Sequence, residues 1–430
     1  MIISCSGVFM DTLRQHRLLT SGQLAELTQG VHGPCGDARA LAKTLIQKDW
    51  LSVYQVNQLL AGNGRKLVIG PYHVLDKLGQ GGLSSVYKAR HHESQNLVAI
   101  KVVRPQVFAS SEGRQQFMQE IDAMTRLDHA NIVQFCDADQ WNDTFYFAME
   151  YVEGTDLGKH VRLGGALRVH EACVYIRQSA LGLQHAFERN LIHRDIKPVN
   201  LYLTHEAAPM PSVAARRELE TAVTTMLMKP LIKILDWGLA SLRNPKGLTG
   251  EQMLDNGGKN IVGTADYLSP EQARNANAVD VRSDIYSLGC SLYYLLTGQP
   301  PFPDGTLMQK ILQHQTAEPK PIESFRDDVP AGVTAIIKRM MAKQPEDRFQ
   351  TPASVALSLA PFARRTRADA GSGCALPTLR GTAPPAQSDD TPMPGEERGA
   401  KNQGREVRGE EQEVSGQGRV VRSEKRGVRE

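Results

Sequence analysis

Polar residues suited to phosphate chemistry are concentrated in one octet of the sequence. Between His193 and Asn200 the chain carries Asp195 and Lys197, and Pro198 restricts the turn. A carboxylate can orient a hydroxyl group and accept its proton, an amide oxygen five residues later can bind a hard cation, and a nearby lysine can contact a phosphoryl group during transfer. A polar surface loop is the alternative, and it does not account for this combination at this spacing.

A second carboxylate, Asp236, lies at a position suited to a metal ligand. It follows the apolar run Leu231–Leu235 and precedes Trp237 and Gly238, where a strand ends and the chain turns. Carboxylate oxygens are preferred ligands of Mg²⁺. In isolation the tripeptide also fits an ordinary turn, but beside the octet it predicts a metal ligand.

Two further features are candidates for holding phosphate groups. The glycine-rich segment Gly79–Val86 lies between two predicted strands, and glycines let backbone N–H groups approach phosphate oxygens. It is neither a Rossmann fingerprint nor a P-loop, and alone it also fits a hairpin turn. Lys101 lies inside the apolar strand Val98–Val103. It is either an outward-facing residue or a buried charge that needs a partner, for which Glu120 is the candidate.

The elements that position these residues change from strands to helices along the chain. Apolar residues at helical spacing predict one early amphipathic helix: Phe117, Ile121, Met124 and Leu127. Runs rich in β-branched and aromatic residues predict strands over 74–75, 86–87, 98–103, Ile132–Phe135 and Phe145–Val152. After Gly154 the apolar patterns 174–187 and 285–296 are helical. Strands followed by helices predict an α+β fold in two lobes.

The two ends of the chain differ from its middle. Leucines at helical spacing over residues 11–64, interrupted by glycines and a proline, predict helices. Residues 364–430 contain no Phe, Trp, Tyr or Ile and carry 13 basic and 11 acidic residues. Such a segment buries too little apolar surface to offset its ordering entropy, so the sequence predicts a disordered tail.

The composition excludes several other classes of protein. The 430 residues are 41% apolar, which excludes a wholly disordered chain, and 50 basic against 47 acidic residues argue for neither a nucleic-acid nor a membrane surface. The six cysteines are scattered without a CxxC pair, which favours a reducing compartment. With neither a predicted membrane span nor a basic leader, we expect a cytoplasmic protein without a membrane anchor.

The motifs of the middle zone, taken together and in order, resemble those of Hanks-type protein serine/threonine kinases. The resemblance is carried by Gly79–Val86, Val98–Lys101, His193–Asn200, Asp236–Gly238 and Ser269–Glu271. The run 263–272 resembles the bacterial branch in particular, and residues 50–55 are similar to a leader of planctomycete kinases. The resemblance implies the two-lobed kinase fold, with a β-rich N-lobe and an α-rich C-lobe.

The same resemblance implies a division of the chain into three parts. Residues 1–71 are expected to form a helical leader, residues 72–362 the kinase domain, and residues 363–430 the disordered tail. Within the kinase domain the N-lobe is expected to cover about 72–152 and the C-lobe about 153–362. About 23 residues more than in most relatives separate Asn200 from Asp236, which predicts a surface insertion at about 205–229.

The resemblance also implies the cofactors and the site residues. ATP is the implied cofactor, with Mg²⁺ or Mn²⁺. The implied catalytic residues are Asp195 as base, Lys197 as phosphoryl contact, Lys101 as phosphate ligand and Glu120 as its partner. The implied metal ligands are Asn200 and Asp236. The implied nucleotide-binding residues are Leu78, Gly79, Gln80, Gly81, Gly82, Leu83, Ser84, Ser85, Val86, Ala99, Lys101, Glu150, Val152 and Leu201.

Three supporting roles follow from the resemblance. Met149 is expected to be the gatekeeper beside the adenine, Glu271 and Arg348 are expected to form a structural ion pair, and Asp284 is expected to brace the catalytic loop. Ser84 and Trp237 depart from the family pattern, where glycine and phenylalanine are usual.

The regulatory segment departs further from the family pattern. Between Thr249 and Thr264 there is no hydroxyl residue, although Arg194 is of the type that pairs with an activating phosphate. Phosphorylated Thr249 and the fixed charge of Asp255 are the two candidates for that anion.

Three functions remain open from the sequence. The leading one is an ATP-dependent kinase that phosphorylates serine and threonine hydroxyls of proteins, in signalling and with autophosphorylation. The alternatives are a pseudokinase that acts as a nucleotide-binding scaffold and a kinase for small molecules. The expected partners are ATP, protein substrates and a regulatory partner of the N-terminal helices, without nucleic acid.

Overall fold

The computed structural model describes residues 4–30, 37–81, 84–103, 115, 119, 121–142, 144–206, 229–237, 265–274 and 279–364. All of them belong to one compact unit, residues 1–371, whereas the second unit, residues 372–430, lies outside the described ranges.

The N-terminal residues form a helical module, defined here as residues 6–67. Its elements are α1 (Ser6–Gln15), α2 (Ser21–Gly30), α3 (Ala38–Gln47), α4 (Val53–Leu60) and a 3₁₀ turn at Gly64–Leu67. Side-chain caps begin three of the helices: the Asp37 carboxylate accepts from Arg39 N at 2.9 Å, and reciprocal caps are formed by Thr20 with Gln23 for α2 and by Ser52 with Gln55 for α4. Gly64 packs closely on α1, because a Cβ there would lie 2.7 Å from Thr12 Cγ2.

Six strands follow as one sheet in the order β1-β2-β3-β4-β6-β5. They are β1 (Val68–Ile69), β2 (Tyr72–Gln80), β3 (Ser84–His91), β4 (Leu97–Val103), β5 (Phe135–Trp141) and β6 (Thr144–Glu150). Alternate residues of β4 enter opposite cores: Ala99 and Val103 join the main core, and Val98 and Ile100 a smaller one. Lys101 therefore shares the face of Ala99 and Val103, and with 2% of its surface exposed it is a buried charge.

Two strand predictions need correction. The strand predicted over Ile132–Phe135 is wrong: β5 begins at Phe135, and Ile132 makes only an isolated parallel bridge to Ile234. β5 has no apolar pattern because it is an edge strand with mostly polar, partly exposed side chains. β6 ends at Glu150, two residues before the predicted end.

The predicted early helix is present over the residues that can be described. Residues 121–125 are helical, and Ile121, Met124 and Leu127 are buried against the sheet and the C-lobe core. Phe117 and Glu120 lie outside the described residues.

The C-lobe consists of helices and one small sheet. Its helices are α5 (Leu157–Gly164), α6 (Val169–Phe187), α7 (Pro270–Arg274), α8 (Val281–Thr297), α9 (Leu307–Thr316), α10 (Ala331–Met340) and α11 (Pro352–Leu359). The sheet has the order β7-β8-β9, with β7 (Thr155–Asp156), β8 (Leu201–Glu206) and β9 (Lys229–Ile234). Nearly every residue of α8 is buried, which makes it the central helix of this lobe. The α+β fold in two lobes is confirmed.

Several predictions fall on residues that are not described. They concern Gly82, Leu83, Glu120, Gly238, Thr249, Asp255, Thr264, most of the insertion at 205–229, and the tail from residue 365 onward.

Candidate active site

The octet forms a tight loop around the carboxylate of Asp195. Lys197 Nζ lies 2.9 Å from both Oδ1 and Oδ2 of Asp195, and Asn200 Nδ2 donates to Asp195 O at 2.7 Å. The side chains of Lys197 and Asp195 are only 13% and 10% exposed. A charged lysine on both oxygens fixes the direction of the carboxylate, so Asp195 is held ready to receive a hydroxyl group.

The catalytic loop is attached to the central helix α8 through Asp284. The carboxylate of this buried residue accepts from His193 N and from Arg194 N, each at 2.8 Å, so the predicted bracing role is confirmed. Burial raises the pKa of Asp284, while the charges and backbone N–H groups of His193 and Arg194 act in the opposite direction.

The backbone of the loop is under local constraint. Arg194 has φ +66°, a left-handed conformation that is unfavourable for a side chain of this size. Gln272 Nε2, on helix α7, donates to Arg194 O at 2.8 Å and so helps to hold Arg194 in place. The Asp284 and Gln272 bonds together keep the peptide beside the catalytic carboxylate in one conformation.

Lys101 and Asp236 meet across the cleft between the lobes. Lys101 Nζ lies 2.8 Å from Asp236 Oδ1, although 135 residues separate them in the sequence. The sequence left open whether Lys101 faces outward or is buried. In the structure it is buried, and its carboxylate partner here is Asp236. Glu120, the partner of Lys101 that the sequence predicted, lies outside the described residues.

The residues present fit the predicted magnesium site. Asn200 uses its amide nitrogen on Asp195, which leaves its oxygen as the ligand atom, and Leu235 N donates to Asn200 O at 2.9 Å, one residue before Asp236. The Asp236 side chain is 33% exposed. Among the described residues no three His, Cys, Asp or Glu side chains form a closed metal cage. One carboxylate and one amide suit a Mg²⁺ ion that takes its other ligands from phosphates and water.

Trp237 is accommodated by contacts on two sides. Its indole Nε1 donates to Ile234 O at 3.2 Å, and its ring meets the His193 ring edge-on at 4.8 Å. The ring is 4% exposed and borders an apolar cavity also lined by Met124, Leu127, Val133, Phe135, Phe147 and Met149. The larger ring therefore packs in the core beside Asp236.

Most of the predicted nucleotide-binding residues that the structure describes lie on strands β2, β3, β4, β6 and β8. Ala99 and Leu201 are buried, and Met149 is the cross-strand partner of Ala99 between β4 and β6. In the glycine-rich segment, Gly81 N donates to Ser84 O at 2.8 Å and Val86 is paired with Gly79. Their contacts with a nucleotide stay a prediction, as do those of Leu78, Gln80, Ser85 and Val152.

The predicted ion pair between Glu271 and Arg348 is confirmed. The guanidinium makes two bonds of 2.7 and 2.8 Å to the carboxylate. It also donates to three backbone carbonyls, those of Ala342, Arg282 and Lys343. Burial raises the pKa of Glu271, but the bonds and charge of Arg348, with the Ser283 hydroxyl, outweigh this and hold it below its ordinary value.

Sequence reasoning missed one link between β9 and the hinge, which is defined here as Glu150–Val152 at the end of β6. Glu150 Oε1 accepts from Lys233 Nζ at 2.5 Å and from Gln134 N at 2.9 Å. Lys233 alternates with the buried residues of β9. This pattern indicates a strand but not an ion pair. Because the two residues are 83 positions apart, no local sequence pattern indicates that they form an ion pair.

Comparison with known proteins agrees with this site. The protein kinase domain family matches residues 72–358. PrkC of Bacillus subtilis, named a serine/threonine-protein kinase, is 32% identical over 286 residues, which is 66% of this chain and 39% of PrkC. PknB of Mycobacterium tuberculosis, also named a serine/threonine-protein kinase, is 31% identical over 299 residues, or 67% of this chain and 43% of PknB.

Solved structures share the fold. A double mutant of the PknI kinase domain from Mycobacterium tuberculosis superposes with a TM-score of 0.51 at 26% identity, over 69% of this chain and 97% of that one. Rad53 in complex with AMP-PNP has a TM-score of 0.51 at 22% identity over 72% of this chain and 70% of that one, a likeness of fold alone.

The chain belongs to the protein kinase family, and PrkC and PknB are bacterial serine/threonine-protein kinases. The predicted membership in the bacterial Hanks-type family and the two-lobed kinase fold are confirmed. The chain spans less than half the length of PrkC and PknB. Within its described part, no helix is both long and apolar enough to cross a membrane.

Proposed function

We propose that the protein is an ATP-dependent protein serine/threonine kinase that transfers the γ-phosphoryl group of ATP to serine and threonine hydroxyls. The observation that carries the proposal is the convergence of Lys101, Asp195, Lys197, Asn200 and Asp236 from separate segments into one cleft. These are the groups that phosphoryl transfer requires for positioning and charge stabilisation.

Each group has a role that follows from its surroundings. Asp195, fixed by Lys197, orients the substrate hydroxyl and accepts its proton. Lys197 contacts the phosphoryl group in transfer, and Lys101 aligns the α- and β-phosphates. Bound Mg²⁺, held by Asn200 and Asp236, would neutralise phosphate charge. Glu120 is proposed as a further partner of Lys101.

Transfer of label from ATP tests the proposal. Purified protein incubated with Mg²⁺ and γ-labelled ATP should phosphorylate itself or a general protein substrate on serine or threonine, with sites mapped by mass spectrometry. A protein that binds ATP without transfer under any metal condition would be the scaffold that the pseudokinase alternative describes. Label on tyrosine or on a small molecule alone would also contradict the proposal.

Replacement of Lys101 by methionine should remove activity and leave the protein folded. Methionine suits the buried position, but it aligns no phosphates and cannot replace the bond of Lys101 to Asp236. We expect kcat/KM to fall by about 10²- to 10³-fold with an unchanged thermal midpoint. Activity within tenfold of the wild type would show that Lys101 is only a structural residue.

Replacement of Asp236 by alanine should abolish the metal dependence of ATP binding. In the wild type, calorimetric titration should show tighter ATP binding with Mg²⁺ or Mn²⁺ than without, because the carboxylate is the principal protein ligand. In Asp236→Ala the two affinities should coincide. An undiminished metal effect in the variant would place the ion elsewhere.

The wider assignments belong to the same proposal. We propose a cytoplasmic signalling kinase, supported by the free cysteines at four described positions, which suit a reducing compartment. Its partners would be protein substrates and a regulator of the helical module, and not nucleic acid, in keeping with the balanced charge. Phosphorylated Thr249 or the fixed charge of Asp255 would pair with Arg194.

A further inference from the structure

The helical module shares one apolar core with the strands that flank the glycine-rich segment. Buried residues of the module, together with Val74 of β2, make up this cluster: Phe9, Leu13, Leu41, Leu45, Val56, Leu59 and Leu67. Ile69 of β1 and Tyr87 of β3 pack against it. The module is therefore built onto the outer strands of the N-lobe sheet.

β2 bends on its way into the glycine-rich segment. Val74 pairs with Ala89 and Asp76 pairs with Lys88, so Leu75 has no Cα partner on β3. An extra residue of this kind bends the strand and increases its twist. Gly79 follows four residues later, after a second register shift. The bulge at Leu75 therefore sets the direction in which β2 enters the glycine-rich segment.

The hydroxyl that caps helix α4 also holds this bulge. Ser52 Oγ donates to Leu75 O, and the same oxygen accepts from Gln55 N at 3.1 Å. A serine hydroxyl has one donor and two acceptor positions, so it can serve both partners at once. The start of α4 and the bend of β2 are thus fixed by a single side chain.

A residue in the first turn of α4 lies near both strands. Tyr54 packs on the module's core and lies near Asp76 of β2 and Tyr87 of β3. Burial raises the pKa of Tyr54, and the charges of Tyr87 and Asp76 raise it further. Tyr87 directly follows Val86, the end of the glycine-rich segment. The start of α4 therefore lies beside the strands that flank that segment.

We propose that Ser52 is a positioning residue for ATP: by holding the bulge at Leu75 it keeps β2 and β3, the strands on either side of the glycine-rich segment, in the arrangement from which that segment binds the phosphates. The inference rests on the proposed function, because it takes that segment to cover ATP. A segment already held in place loses less conformational freedom when ligand binds. The module would thus set the affinity for ATP and leave the chemical step to the cleft residues.

Two pairs of variants of the full chain test this. Ser52→Asp keeps a cap acceptor for Gln55 N but cannot donate to Leu75 O, whereas Ser52→Thr keeps both functions. Ser52→Ala removes the cap and the bond, whereas Thr20→Ala removes the corresponding cap, formed with Gln23, from α2. Thermal midpoints establish that each variant is folded.

The expected result is weaker binding of ATP with an unchanged rate of turnover. In Ser52→Asp and Ser52→Ala, the KM for ATP and the calorimetric Kd for Mg²⁺-ATP should rise by about 3- to 10-fold, with kcat within twofold of wild type. Amide hydrogen exchange over 74–81 and 84–89 should become faster in the same variants. Ser52→Thr and Thr20→Ala should behave as wild type in all three measurements.

Two outcomes would overturn the proposal. One is an unchanged Kd for Mg²⁺-ATP in both Ser52→Asp and Ser52→Ala. The other is an equal rise in Thr20→Ala, which would trace the effect to general loss of helix stability. A wild type that binds no ATP would overturn the proposed function instead, and the exchange rates would then decide alone whether Ser52 holds the hairpin.

Discussion

Replacement of Asp195 by asparagine is expected to lower kcat toward a protein substrate by about 10³-fold, within the ~10²–10⁴ range of general acid–base catalysis. The amide has nearly the same shape and still accepts a bond from Lys197, but it cannot take the proton of the substrate hydroxyl. Because Asp195 acts on the hydroxyl and not on ATP, the calorimetric Kd for Mg²⁺-ATP should stay at the wild-type value. Single-turnover assays with labelled ATP measure the loss.

A surface carboxylate provides the control for this variant. Asp327 is exposed and lies in the C-lobe away from the cleft, so Asp327→Asn should retain full turnover. Turnover of Asp195→Asn at the wild-type rate would show that the octet has been given the wrong role. Loss of ATP binding together with turnover would instead mean that the substitution disturbs the loop.

The largest effect on stability is expected from replacement of Arg348 by methionine. The guanidinium is fully buried and supplies donors to Glu271 and to three backbone carbonyls. Methionine fills much of the space but leaves the carboxylate unpaired, and breaking a buried pair in this way costs about 3–5 kcal/mol. Urea denaturation should show this loss as a lower midpoint with an unchanged slope.

An exposed ion pair provides the matched control. Arg126 and Asp122 form a pair on the surface, with side chains 70% and 64% exposed. Arg126→Met should therefore cost no more than about 1 kcal/mol. A loss as small as this in Arg348→Met would mean that the buried pair contributes little to the C-lobe.

The contribution of Glu271 to the stability of the wild type and of Arg348→Met should change in opposite directions as the pH falls. In the wild type the pKa of Glu271 is held below its ordinary value of 4.5, so this pair's stabilisation is present above that pH and is lost as the pH falls through the lowered pKa. In Arg348→Met the buried carboxylate should have a raised pKa, and protonation then relieves the folded state. The stability difference between the two proteins should therefore shrink as the pH falls from about 7 toward 4.5.

The chemistry of the cleft could be predicted because its residues fall in short motifs. Asp195, Lys197 and Asn200 lie within one octet, and their spacing alone brings an acid, a cation and an amide together. The burial of Lys101 was undecided in the sequence, since it depends on which face of β4 meets the core. The register of β4 against β6 places Lys101 on the buried face of the sheet. The ammonium group there binds Asp236.

Other parts could not be predicted because their signals lie far apart in the sequence or are absent. The edge strand β5 is polar, so it lacks the alternation that marks a half-buried strand. No sequence pattern marks Ser52 as a contact of β2, because only the folded chain brings it to a carbonyl 23 residues away. The bond from Lys233 to Glu150 likewise depends on the packing of β9 against the hinge.

The contacts of that hinge limit how the two lobes can move. The N-lobe is joined to β9 at two places: residues 131–134, through backbone bonds of Asn131 and Val133 to Ile234, and the hinge strand, through Glu150 and Lys233. Glu150 also binds Gln134, so the two places are joined to each other. Two fixed points define a line, and rotation about a line is a single degree of freedom. The lobes can therefore open and close about this axis, while twisting of one lobe on the other would break these bonds.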